Sequence, residues 1–112
     1  MFGRRRIAIA GPAGRLIASA PVPRRALLQQ RVSAAPDGRG YAYVLTTRRV
    51  KGGTDRIELL LPGARAARTV ATVPVSLQGC GWGSTVRWRG SWLSYRNLDG
   101  HHLAVDTRPH AS

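Results

Sequence analysis

The densest grouping of side chains with chemistry to offer is aromatic and basic: Trp82, Trp88, Trp92 and Tyr95, interleaved with Arg87, Arg89 and Arg96. Aromatic faces beside a cationic rail hold single-stranded nucleic acid by stacking, without reading its sequence. Strand alternation divides the group, because Val86 and Trp88 fall on one face of a strand while Arg87 and Arg89 fall on the other. Packing by the tryptophans therefore competes with a binding role, since aromatic rings dominate the buried area of cores. The interaction surface read from the sequence is Trp82, Arg87, Trp88, Arg89 and Trp92.

Other reactive residue types are present without a catalytic arrangement. His101 and His102 are adjacent, so in a strand they point to opposite faces, and His110 follows Pro109 in a polar tail. Structural zinc takes about four nitrogen or sulfur ligands, and Cys80 is the single cysteine, which also excludes an intrachain disulfide. The five acids are Asp37, Asp55, Glu58, Asp99 and Asp106; Asp37 and Asp99 each precede a glycine, where turn formation accounts for them. No nucleophile elbow, phosphate loop or dinucleotide fingerprint occurs. These residues predict no enzymatic activity, no catalytic or metal-binding residue, and no cofactor.

Composition narrows the class. At 112 residues, with 43% hydrophobic and 21% charged side chains, the chain has the size and balance of about one folded domain. Eighteen basic residues against five acidic ones give a formal net charge of +13, which favours polyanionic partners. Seventeen of the eighteen are arginine, scattered rather than gathered, as an Ala-, Gly- and Arg-rich composition would produce whatever the function. No apolar run approaches the ~20 residues of a membrane span. The segment Arg4-Arg5-Arg6 before Ile7 to Ala10 has the look of a signal sequence, but Arg15 interrupts the apolar region and Pro21 follows the would-be cleavage site.

The elements that position these residues read as strands. Ile7 to Ala10 and Leu16 to Ala20, joined by Gly11-Pro12-Ala13-Gly14, predict a hairpin. Arg24 to Gln30 has good helix formers over barely two turns and no convincing cap, so it reads as a connector. The turn Pro36-Asp37-Gly38 opens a strand over 41–47 that is apolar on both faces and must be covered on both. Residues 48–55 read as a basic, Gly-containing loop, followed by strands near 56–61, 68–73, 85–88, 91–96 and 102–106.

Parts of this pattern recur. Arg15-Leu16-Ile17-Ala18-Ser19-Ala20-Pro21 matches Arg68-Thr69-Val70-Ala71-Thr72-Val73-Pro74 in character at every place. Gly90 to Tyr95 echoes Gly38 to Tyr43, and Leu103-Ala104-Val105 answers Ile57-Glu58-Leu59, so one unit is about 50 residues and four strands. The run from Val32 through Pro36-Asp37-Gly38 to Tyr41-Ala42-Tyr43-Val44 resembles the repeat of TolB-type β-propellers, with Ala35 where that family has serine and Trp88-Arg89-Gly90 in place of the third unit's turn.

The resemblance implies an all-β fold of antiparallel sheets, about two blades of a β-propeller in an incomplete ring. It divides the chain into the trailing hairpin of a preceding blade (1–23), a connector plus complete blade (24–74), and a partial blade with a polar tail (75–112). An arc of this kind leaves sheet edges and apolar outer faces open, so the expected role is protein interaction or scaffolding, with a protein partner or self-association. The alternative is a small basic nucleic-acid-binding protein using Arg and Trp side chains.

Overall fold

The computed structural model describes residues 5–28, 32–49, 52–75, 84–97 and 100–108, and for Arg48 and Arg49 the backbone alone. Among these residues the chain is all β: three antiparallel sheets and no helix. The first sheet is the hairpin of β1 (Arg6–Ala10) and β2 (Leu16–Pro21). The second holds β3 (Ala26–Leu28), β4 (Ser33–Ala34), β5 (Tyr41–Arg49), β6 (Gly52–Leu60) and β7 (Arg68–Val75), with β3 and β4 both pairing β5. The third is β8 (Thr85–Arg89), β9 (Trp92–Arg96) and β10 (His102–Asp106), with β9 in the middle.

The second sheet sits between the other two because its central strands are apolar on both sides. Tyr43, Leu45 and Leu60 face the first sheet and pack with Ile7, Ala18, Ala20 and Val22. Ala42, Val44 and Ile57 face the third sheet and pack with Leu93 and Tyr95. Burying side chains such as Tyr43, Leu45, Ile57, Leu60 and Leu93 contributes about 1.5–3 kcal/mol each, which makes these two layers the main source of stability.

Three expectations are corrected. The segment expected to be a connector contains β3, whose Ala26, Leu27 and Leu28 pair with Thr47, Thr46 and Leu45. Two helical turns without a cap are marginal, whereas an open edge of β5 offers backbone partners to any extended segment beside it. The expected loop 48–55 is largely strand, since β6 begins at Gly52 and pairs with β5 back to Arg49. Gly52, Gly53 and Asp55 are poor strand formers, but Gly52 sits at φ 88° and Asp55 is fully buried as a hydrogen-bond acceptor. A Cβ on Gly52 would lie 2.8 Å from the Val75 carbonyl oxygen.

The outer faces are also not uniformly apolar. That of the first sheet mixes Arg6 and Ser19 with Ala8, Ala10, Pro21 and the exposed Leu16, and Arg6 donates to the Ser19 hydroxyl. That of the third carries Arg87, Arg89, Trp92 and Arg96.

Edges are covered locally. The Gly63 amide donates to the Ile17 carbonyl at 2.7 Å and the Ser19 amide to the Ala64 carbonyl at 3.0 Å, so the turn after β6 closes the free edge of β2.

Candidate functional site

The Pro36-Asp37-Gly38 turn places the first wall of a cleft. The Gly38 amide donates to the Ala35 carbonyl, the Ala35 amide to that of Gly40, and Gly38 sits at φ 74°, a conformation that glycine adopts without steric cost. Asp37 accepts from the Arg39 amide at 3.0 Å and pairs with the Arg39 guanidinium at 2.8 Å. The opposite wall is β8, where the Trp88 indole donates to the Ser33 carbonyl at 2.9 Å and so fastens the third sheet to β4.

Between these walls lies a cavity of about 330 Å³. Leu59, Leu61 and Trp88 form apolar lining, and Arg39, Arg68 and Arg108 stand around it. Arg39 is paired with Asp37, and Arg108 with Asp106 at 2.8 Å. Its bond to Asp106 raises the pKa of the Arg108 guanidinium further. Arg68 makes no ion pair among the described residues, and it reaches the cleft because its register partner Leu59 faces the same way. A pocket with apolar lining, a few convergent polar groups and a volume in the range of ligand sites suits an apolar side chain flanked by a carboxylate or phosphate.

A second surface is the outer face of the third sheet. In β8 and β9, Arg89 pairs across from Trp92 and Arg87 across from Ser94, with Arg96 two residues beyond Ser94. Trp92 is 45% exposed, and Arg87, Arg89 and Arg96 are exposed with no ion pair among the described residues. The sequence-predicted surface is thus split. Trp88 packs inward beside Leu93 and Tyr95 and lines the cleft, while Arg87, Arg89 and Trp92 share the solvent face. Trp82 lies outside the described residues.

Sequence reasoning missed Asp55. It is fully buried between the second and third sheets and accepts from Thr46 at 2.5 Å, from Tyr95 at 2.5 Å, and from Ser84. Asn97 in turn donates to the Tyr95 hydroxyl at 3.1 Å. Burial, and then the bond to Asp55, push the Tyr95 phenol up to about 12. A carboxylate in an apolar interior is tolerated when hydrogen-bonded in this way. With Ser84, Tyr95 and Asn97 all buried, the network acts as a clamp between sheets. The one available signal was alternation: Thr46 and Asp55 are register partners on the apolar face that carries Ala42, Val44 and Ile57.

His101 and His102 are exposed, and the described residues contain no group of three side chains suited to a metal ion. Among the described residues no helix is long and apolar enough to cross a membrane. No known protein family, curated protein or solved structure matches the chain.

Proposed function

We propose that the chain is a non-catalytic, propeller-like repeat unit acting in protein interaction or scaffolding, with the cleft beside Trp88 as the docking point for a protein partner. The cleft itself carries this reading: an apolar lining of Leu59, Leu61 and Trp88, with Arg68 at its side making no ion pair among the described residues. An extended segment with a large apolar residue next to Asp or Glu satisfies both features, through burial of the apolar group and a charge-assisted bond to Arg68. The 50-residue echo and the three face-to-face sheets support a blade-like organisation.

Nucleic-acid binding is the second reading, favoured by Arg87, Arg89 and Arg96 on one exposed face with Trp92. There a base stacks on the indole while the guanidinium groups track the backbone.

The two readings place the loss of binding in different variants. For an acidic, leucine-containing peptide, Arg68→Glu is expected to weaken binding at least about ten-fold and Trp92→Ala to leave it unchanged, by titration of tryptophan fluorescence. For an oligothymidylate, Trp92→Ala and Arg89→Glu are the damaging variants, and the salt slope is about −0.7 per phosphate engaged. Retention of peptide binding by Arg68→Glu overturns the cleft reading.

A further inference from the structure

The third sheet ends in an open edge. β10 pairs with β9 on one side, from His102 opposite Arg96 to Asp106 opposite Trp92, and no described strand or turn bonds to the other side of residues 102–105. Alternate residues of an antiparallel strand turn both backbone groups away from the partner, so this edge presents amides and carbonyls to solvent. They are accessible, since His102, Leu103 and Ala104 are all exposed. Other edges are handled differently. Residues 63–64 close β2, β3 and β4 lie along β5, and the edge of β7 is broken by a register shift opposite Ile57 and Glu58 and by Pro74, which has no amide to donate. β10 has an unbroken register and no proline.

The second sheet shows what such a strand can carry beside it. Leu103-Ala104-Val105 answers Ile57-Glu58-Leu59 of β6, and β7 runs antiparallel along β6 with Ala71 opposite Ile57, Thr69 opposite Glu58 and Arg68 opposite Leu59. Ile57 is 0% exposed, whereas Leu103, on the inner face with its register partner Tyr95, is 37% exposed. An apolar side chain turned inward yet open at the rim is covered once a further strand lies alongside.

The two faces set the chemistry of that strand. On the inner face it meets Leu103 and Val105, so every second residue must be apolar. On the outer face His102 and Ala104 lie across from Arg96 and Ser94, with Arg87 beyond; Arg87 and Arg96 are exposed and make no ion pair among the described residues. An added strand lies two strand spacings from β9, about 10 Å, which is about one Debye length, so its carboxylates still feel those guanidinium groups. At the other end Asp106 favours a neutral residue. A second copy is disfavoured by the chain's own formal net charge of +13. We propose that the edge of β10 takes up an extended segment of a protein partner as a fourth, antiparallel strand, with apolar residues toward Leu103 and Val105 alternating with acidic residues on the outer face near His102. Main-chain bonds supply the affinity and the alternate side chains the selectivity. The edge shares with the cleft beside Trp88 only the class of partner and does not depend on it.

The test is an amide-resolved NMR titration of the full chain with the capped peptide Thr-Val-Thr-Val-Glu-Val-Glu, whose glutamates lie toward His102 in the antiparallel register. Saturable shifts of the β10 amides are expected, with a dissociation constant below about 1 mM. Only every second amide of an added strand faces β10, so N-methylating alternate amides is expected to weaken binding at least about ten-fold in at least one of the two settings. Replacing the glutamates by lysines, or Leu103→Asp in the protein, is expected to do the same, while Arg68→Glu leaves affinity unchanged. Absence of saturable shifts, or full affinity in both methylated peptides or in the lysine peptide, overturns the proposal. So do binding that is lost in Arg68→Glu, which assigns the peptide to the cleft, and concentration-dependent shifts of the β10 amides without peptide, which put a second copy on the edge. If Leu103→Asp fails to fold, the peptide series on the unaltered chain remains decisive.

Discussion

Asp55 concentrates more consequence than any other side chain. Replacing it with alanine removes the one acceptor shared by Thr46, Ser84 and Tyr95 and leaves those hydroxyls buried. The expected loss is about 3–5 kcal/mol by urea denaturation, against about 1–3 kcal/mol for Tyr95→Phe, which removes one donor to Asp55 and the acceptor of the Asn97 amide. Tyr95 and Tyr43 also set an alkaline limit. Burial first, and then the bond to Asp55 for Tyr95 or the charge of Glu58 for Tyr43, push both phenols up to about 12. An unfolded tyrosine ionises near 10, so the native state holds these protons more tightly. The stability they contribute is complete below pH ~10 and lost as pH rises toward 12. Phenolate absorbance is expected to rise together with loss of circular dichroism in that window, and Tyr95→Phe is expected to flatten the pH dependence. Apart from strand alternation, nothing in the sequence pointed to this, because Asp55 follows Gly52-Gly53-Thr54 and has the look of a loop residue.

At the scale of elements, alternation and punctuation were informative. The expected strands at 7–10, 16–20, 41–47, 68–73, 85–88, 91–96 and 102–106 correspond to β1, β2, β5, β7, β8, β9 and β10 within two residues at each end. The first hairpin and the two-sided middle strand also hold. What failed were segments whose structure is imposed by a neighbour. Residues 26–28 and 33–34 are extended because β5 has an edge to fill, and Gly52 to Asp55 because β5 and β7 flank them. The cleft was hidden for the same reason, as it unites Asp37, Arg68 and Trp88 from three separated segments. At the turn before β5, a Cβ on Gly38 meets nothing within 4 Å, so backbone conformation alone is at stake there. Gly38→Val is therefore expected to lower stability by about 1–3 kcal/mol, and Gly38→Asn by less, because asparagine tolerates positive φ; thermal melts of the two variants check the difference.

Across the whole molecule, the two inter-sheet contacts are built differently. The second and third sheets are fastened by Asp55 and by the Trp88 bond to Ser33, while the first sheet rests on an apolar layer and on the backbone bonds between β2 and residues 63–64. Hydrogen exchange separates them. The Ser19 and Gly63 amides are expected to exchange together, at a rate that Asp55→Ala changes less than it changes the amides of β9. The closure of β2 by residues 63–64 has a further consequence in time. A chain made from its N-terminus presents the first hairpin before Gly63 and Ala64 have emerged to cap it. During that interval its unpaired backbone is open to any passing strand, and the contact that ends the exposure is of long sequence separation and so slow to form. The exposed moment for this protein is therefore not in its finished fold but on the ribosome, while one edge waits for a turn that has yet to emerge.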